Sequence, residues 1–152
     1  MSSLERLGAA AAPHLLSVLR IMSSLLLLQH GTQKLLDFPA RAAGRAAPEF
    51  LSLIWWAGAI ELVGGILLAI GLFSRPVAFI LSGELAFAYF IGHAGRGFFP
   101  ILNAGELAAL YCFVFLYLAA AGPGPWSLDR SMAERWDGVA VPRAVPSDLD
   151  RA

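Results

Sequence analysis

Charge and cysteine are both scarce in this sequence. Only 14% of its 152 residues are charged, against roughly 25% in soluble domains. Eleven basic and eleven acidic residues cancel, leaving no basic excess to hold nucleic acid through its phosphates. Cys112 is the single cysteine, which excludes an internal disulfide and a cysteine-based metal site. Any redox chemistry must therefore use a bound cofactor, a partner or an intermolecular thiol. A phosphate-binding glycine motif, an HExxH pair and a serine–histidine nucleophile arrangement are also missing. No segment alternates with period two, which argues against strands and a barrel.

What the chain has in quantity is apolar surface. Hydrophobic residues make up 58% of it, and the mean hydropathy is +0.67. A bilayer core about 30 Å thick takes about 20 helical residues to cross. Leu53 to Phe73 and Pro76 to Ile91 are apolar runs, each with one central glutamate, Glu61 and Glu84. Ile101 to Ala121 carries Asn103 and Glu106 in its first turns. Leu15 to Leu28 is apolar apart from Ser17, Arg20, Ser23 and Ser24 and is expected to continue through His30 to about Leu36. A signal peptide is the competing reading, but the QHGTQK that follows is no small-residue cleavage site. The expected fold is all-α, a polytopic bundle of four transmembrane helices.

The punctuation agrees. Pro39 to Phe50 reads as a polar loop with at most one short helix, and Ser74-Arg75-Pro76 as a hairpin turn with proline at a helix start. Gly92 to Phe98 is a glycine-rich turn, and GPGP (Gly122 to Pro125) closes the last helix. Trp126 to Trp136 could form a short interfacial helix, with Ser131 and Glu134 as a capping box. Residues 1–12 form an N-terminal segment, 13–121 the transmembrane domain, and 122–152 an interfacial segment and a flexible tail. Four crossings place both termini on one side. Arg6, Arg20, Arg75, Arg130 and Arg135 against Lys34, Arg41, Arg45 and Arg96 make that side the cytoplasmic one.

Polar residues within apolar helices carry the functional information. An acid at a helix centre costs about 2.5–3.5 kcal/mol on insertion scales and faces the bundle interior, loses its charge or pairs with a cation. Ala57, Gly58, Gly65 and Ala69 share the face of Glu61 and permit close helix contact. Arg20, Ser24, Leu27, Gly31 and Lys34 lie within about 40° of one line on the first helix. Either cation could neutralise a carboxylate of another helix, or both could snorkel to opposite interfaces. Because both cations lie nearer the membrane surfaces, Glu61 is expected to be a neutral acid donating one hydrogen bond.

Topology brings His30, Lys34, His93, Asn103 and Glu106 to one mouth of the bundle. Histidine exchanges protons near neutral pH, which suits a quinone or proton site. Two histidines could also ligate a haem, but quinone is the preferred reading. His14, near the start of the first helix, reads as interfacial.

The run GTQKLLDFP (Gly31 to Pro39) and the stretch Glu61 to Asp129 resemble the DoxX family of small bacterial membrane proteins. The motifs are G-x-Q-K, E-L-x-G-G, A-Y-F-x-x-H, G-F-F-P-x-x-N and GPGPWSLD. Gly31, Lys34, Glu61, Gly64, Gly65, Tyr89, His93, Asn103 and Glu106 match the family pattern. Leu85 stands where Met is expected, and Ala104 where Gly is common. The resemblance implies a four-helix bundle in the bacterial cytoplasmic membrane. A related group contains a subunit of a thiosulfate:quinone oxidoreductase, and other members are linked to oxidative-stress or thiol-handling complexes. The expected role is a membrane subunit of a redox complex, with His30, Lys34, Tyr89, His93, Asn103 and Glu106 contacting quinone. Phe98 and Phe99 would add apolar contact. The alternatives are a non-catalytic scaffold for a partner complex and a small-molecule or proton transporter.

Overall fold

The computed structural model describes residues 2–138. Among these the chain is helical, with no strand. Helix α1 spans Ser3–Leu36, α2 Leu53–Ile70 and α3 Ser74–Gly92. A 3-10 turn at Ala94–Arg96 leads to the short α4, Pro100–Asn103, followed by α5, Glu106–Ala121, and α6, Leu128–Gly138. Three helices are long and apolar enough to cross a membrane: α1, α2, and α3 with its 3-10 extension. The apolar α5 has 16 residues, a length of about 24 Å at 1.5 Å per residue.

Helix α1 begins about ten residues before the apolar run. Ser2 and Glu5 form a reciprocal capping box there. The alanines that follow favour helix strongly enough to carry it through Pro13 to the apolar run. The turn between α2 and α3 lies at Gly71 to Phe73, slightly before its expected place. Gly71 supplies the left-handed backbone, with φ +73°. Ser74, Arg75 and Pro76 already belong to the first turn of α3, where a proline needs no hydrogen-bond acceptor.

The helices form two antiparallel pairs, α1 with α2 and α3 with α5, joined by α2 against α3. Glycine sets the first pairing. A Cβ on Gly31 would lie 2.6 Å from the Leu62 nitrogen, so these backbones touch. Leu27, Leu68, Leu81, Leu85, Tyr111, Phe115 and Leu118 form the apolar core. Ser17, Arg20, Ser23, Ser24, Glu61, Ser82 and Asn103 are buried beside it. Outside, Met22, Leu25, Leu26, Val63, Ile66, Phe79, Ile80, Phe87, Leu110 and Phe113 are exposed. Polar groups inside and a broad apolar exterior are the distribution that a lipid solvent imposes.

The fully buried Arg20 secures one end of the bundle. It neutralises no carboxylate of α2, α3 or α5. Its guanidinium donates to the carbonyls of Leu68, Ala69, Pro123 and Trp126. One side chain thus satisfies the end of α2 and ties the GPGPW stretch to α1. The Trp126 N–H donates to Ser17 Oγ, and the His14 ring meets the Trp126 ring edge-on at 5.5 Å. Asp129 accepts the Phe73 and Ser74 N–H groups at 2.8 Å, capping α3 from a distant part of the chain. At α6 the expected capping box at Ser131 and Glu134 is displaced. Ser127 Oγ accepts the Arg130 N–H, Ser131 donates back to the Ser127 carbonyl, and Glu134 pairs with Arg130 at 2.6 Å. Trp136 belongs to this helix, and so do Asp137 and Gly138, where the flexible tail was expected to begin; the rest of that tail, from residue 139, lies outside the described residues.

Candidate functional site

The opposite end of the bundle holds an open cleft of about 820 Å³. Helix α1 contributes Leu27, His30, Gln33 and Lys34, and α2 contributes Ile54 and Glu61. His93 comes from the end of α3, and Leu107 and Tyr111 from α5. The loop between α1 and α2 adds Arg41, Arg45 and Glu49.

The central contact is an ion pair. Lys34 Nζ donates to both Glu61 oxygens at 2.6 Å. The lysine side chain is 28% exposed and the glutamate side chain 4%. The expectation that both cations stay nearer the membrane surfaces than Glu61 is corrected by this geometry, since Lys34 reaches the carboxyl. Gly58 is the reason: a Cβ there would sit 2.9 Å from Lys34 Cβ, so only glycine lets the lysine lie down along α2. Its four-carbon stem then spans the remaining turn to Glu61. Distance from the membrane surface, judged from backbone position, therefore underestimated the reach of the cation.

His93 is held by its other neighbour. Its Nδ1 lies 3.0 Å from the Asn103 carbonyl oxygen. A carbonyl only accepts, so Nδ1 carries the proton and Nε2 of the neutral ring is an acceptor. Asn103 is buried. Its Oδ1 accepts the Gly105 N–H at 2.8 Å, while Nδ2 donates to the Gly97 carbonyl at 2.9 Å and reaches Tyr89 Oη at 3.5 Å. These bonds divide the expected last helix into α4 and α5, with Ala104 left-handed at φ +58° between them. Asn103 and Tyr89 thus stand behind His93 and do not line the cleft. Glu106 lies exposed in the first turn of α5, outside the cleft, where a carboxylate suits the helix N-terminus.

The cleft thus gathers His30, Lys34, Glu61 and His93, while Arg20 belongs to the far end. Residue types alone gave no reason to expect Arg41, Arg45 or Tyr111 there. Arg41 carries a readable signal, being a cation just beyond a helix C-terminus. It donates to the carbonyls of Gln33 and Lys34 at 2.9 and 3.2 Å and pairs with Asp37 at 3.4 Å. Tyr111 lies in an unbroken apolar run and gives no such signal.

Glu84 faces a different space, a groove of about 540 Å³ between α2 and α3. Apolar side chains line most of it, Trp56, Ile60, Ile80, Phe87 and Ile91 among them. Lys34 and His93 line both the groove and the cleft.

The DoxX family profile matches residues 15–94. That stretch contains His30, Lys34, Glu61, Glu84 and His93 and is more than half of the chain. The chain belongs to the DoxX family. It is 46% identical over 126 residues to an uncharacterized protein of Haemophilus influenzae, covering 81% of this chain and 94% of that one. An uncharacterized membrane protein of Mycobacterium tuberculosis is 29% identical over 150 residues, covering 88% and 90%. No solved structure matches. This DoxX chain is therefore a membrane protein, and its site must be read from its own chemistry.

Proposed function

We propose that this DoxX chain is a quinone-binding subunit of a membrane redox complex in the bacterial cytoplasmic membrane. The supporting observation is the placement of the Lys34–Glu61 pair and His93 in the walls of one open cleft. A quinone ring presents carbonyl oxygens, which accept hydrogen bonds. The part-exposed Lys34 ammonium is a charge-assisted donor for one of them. Protonated His93 can donate through Nε2, and the neutral ring can take a proton there. Leu27, Leu85 and Leu107 offer apolar contact to the ring. In this reading Tyr89 and Asn103 position His93, and Glu106, outside the cleft, takes no part in binding. Electrons come from a partner protein, since the chain offers one cysteine and no cysteine pair. Helix α5 completes a fourth crossing, and both termini face the cytoplasm.

The test is titration of the nanodisc-embedded chain with short-tailed benzoquinone and naphthoquinone analogues, followed by calorimetry. Saturable single-site binding is expected for at least one class. His93→Ala and Lys34→Met should each weaken it about tenfold, the worth of one good hydrogen bond. Lack of saturable binding by either class overturns the reading and leaves the polar cluster as packing within a non-catalytic scaffold.

A further inference from the structure

The groove between α2 and α3 contains a chemical mismatch. Its walls are mostly apolar, yet Glu84 Oε2 is buried and has no hydrogen-bond partner among the described residues. A buried acceptor without a donor is costly, and a ligand that supplies the donor recovers that cost. The cation lining this groove does not satisfy it, because Lys34 directs two of its three N–H groups to the Glu61 oxygens and none to Glu84 Oε2. Glu84 stands ten residues into α3, about 15 Å along the helix axis.

We infer that this groove is a second binding site, taking a neutral amphiphile whose hydroxyl donates to Glu84 while its apolar body lies along Trp56, Ile80 and Phe87. The site stands whatever the cleft binds. Three features select the class. The enclosed, unpartnered Oε2, which a rotation of the Glu84 side chain turns into the groove, requires a donor, which an ether or ester lacks. The apolar walls match a hydrocarbon or aromatic body. An ammonium head would have to lose its hydration at mid-helix depth with Lys34 in the same wall, whereas a hydroxyl crosses to that depth at far lower cost. Trp56, Ile80, Phe87 and Ile91 are all exposed on the apolar exterior, so a ligand dissolved in the bilayer reaches the groove laterally.

Trp56 reports on occupancy. A brominated 4-alkylphenol should quench the fluorescence of the nanodisc-embedded chain saturably, and Trp56→Phe should remove the saturable component. The matching methyl ether should need about tenfold higher concentration, the equivalent of one lost hydrogen bond. Glu84→Leu should bring the phenol down to the level of the ether, and Glu84→Gln, which keeps an acceptor, should retain part of the preference. The phenol–ether comparison in the unaltered chain needs no variant to fold. Equal binding of phenol and ether, tighter binding of the corresponding alkylammonium, or absence of a saturable component would each overturn the inference.

Discussion

Lys34 and Glu61 are unequal partners, because the carboxylate is enclosed and the ammonium reaches the cleft. Removing the cation strands a buried charge, whereas removing the acid leaves a lysine that can swing to the mouth. Lys34→Met should therefore destabilise the chain by about 3 kcal/mol or more, and Glu61→Leu by clearly less. The double variant should be more stable than Lys34→Met alone, with a coupling of roughly 1–3 kcal/mol. Thermal unfolding in one lipid system reads all three, and equal losses from the two single changes would refute the asymmetry. Infrared difference spectra should show an ionised carboxylate band that Glu61→Gln removes. The sequence made part of this site legible. Helical phase put Lys34 on the buried stripe of α1, and antiparallel topology brought His30 and His93 to one end. It hid the partner of Glu61, because helical phase describes Cβ directions while a lysine acts through a long stem. It also placed Glu106 in the cluster by counting along an unbroken helix, which the Asn103 turn interrupts.

The break between α4 and α5 shows how a few side-chain bonds override an apolar run. Pro100 to Ala121 has the composition of one continuous helix, yet Asn103 Oδ1 takes the Gly105 N–H and bends the chain. Ala104 pays a steric penalty for its left-handed backbone, since its Cβ crowds the neighbouring carbonyl. Gly105 is enclosed, and a Cβ on it would lie 2.7 Å from both Asn103 Oδ1 and the Tyr89 ring. Adjacent substitutions should thus act with opposite sign. Ala104→Gly should stabilise by about 1 kcal/mol by relieving the left-handed strain. Gly105→Ala should destabilise and loosen His93, which leans on the Asn103 carbonyl. Paired melting curves check the signs, and a loss of stability in Ala104→Gly would refute the strain account. The other elements were largely readable, because hydrophobic runs and punctuation mark α2 and α3 to within a few residues. The early start of α1 was missed, since its capping box lies ahead of the apolar run. At α6 the capping pattern at Ser131 was a weaker guide than the local bonds of Ser127 and the long-range ties of Asp129.

At the scale of the whole molecule, the two ends of the bundle differ in what their polar groups are used for. At one end Arg20 and Asp129 bind backbone groups and tie α1, α2, α3 and the GPGPW stretch together. At the other, charges and histidines line an open cleft. Whether the chain's two ends share a side of the membrane depends on the crossing number, and α5 decides it. Its roughly 24 Å falls short of a hydrocarbon core of about 30 Å, but α4 precedes it and its partner α3 is long enough to cross. An antiparallel helix packed along α3 shares that helix's depth, which supports four crossings. Four crossings put the loop holding Ala46 and α6 with Ala133 on opposite sides, and the orientation proposed above puts the loop outside and α6 inside. With only three crossings, both positions would share one side. Single cysteines at Ala46 and Ala133, each in a Cys112→Ala background, separate the cases with a membrane-impermeant maleimide. Labelling of Ala46→Cys in intact spheroplasts, and of Ala133→Cys only after permeabilisation, is expected. Labelling of both in intact spheroplasts would rule out the fourth crossing. The reversed pattern would keep four crossings and turn the cleft towards the cytoplasm, so that a soluble electron donor would meet the Lys34–Glu61 pair from inside the cell.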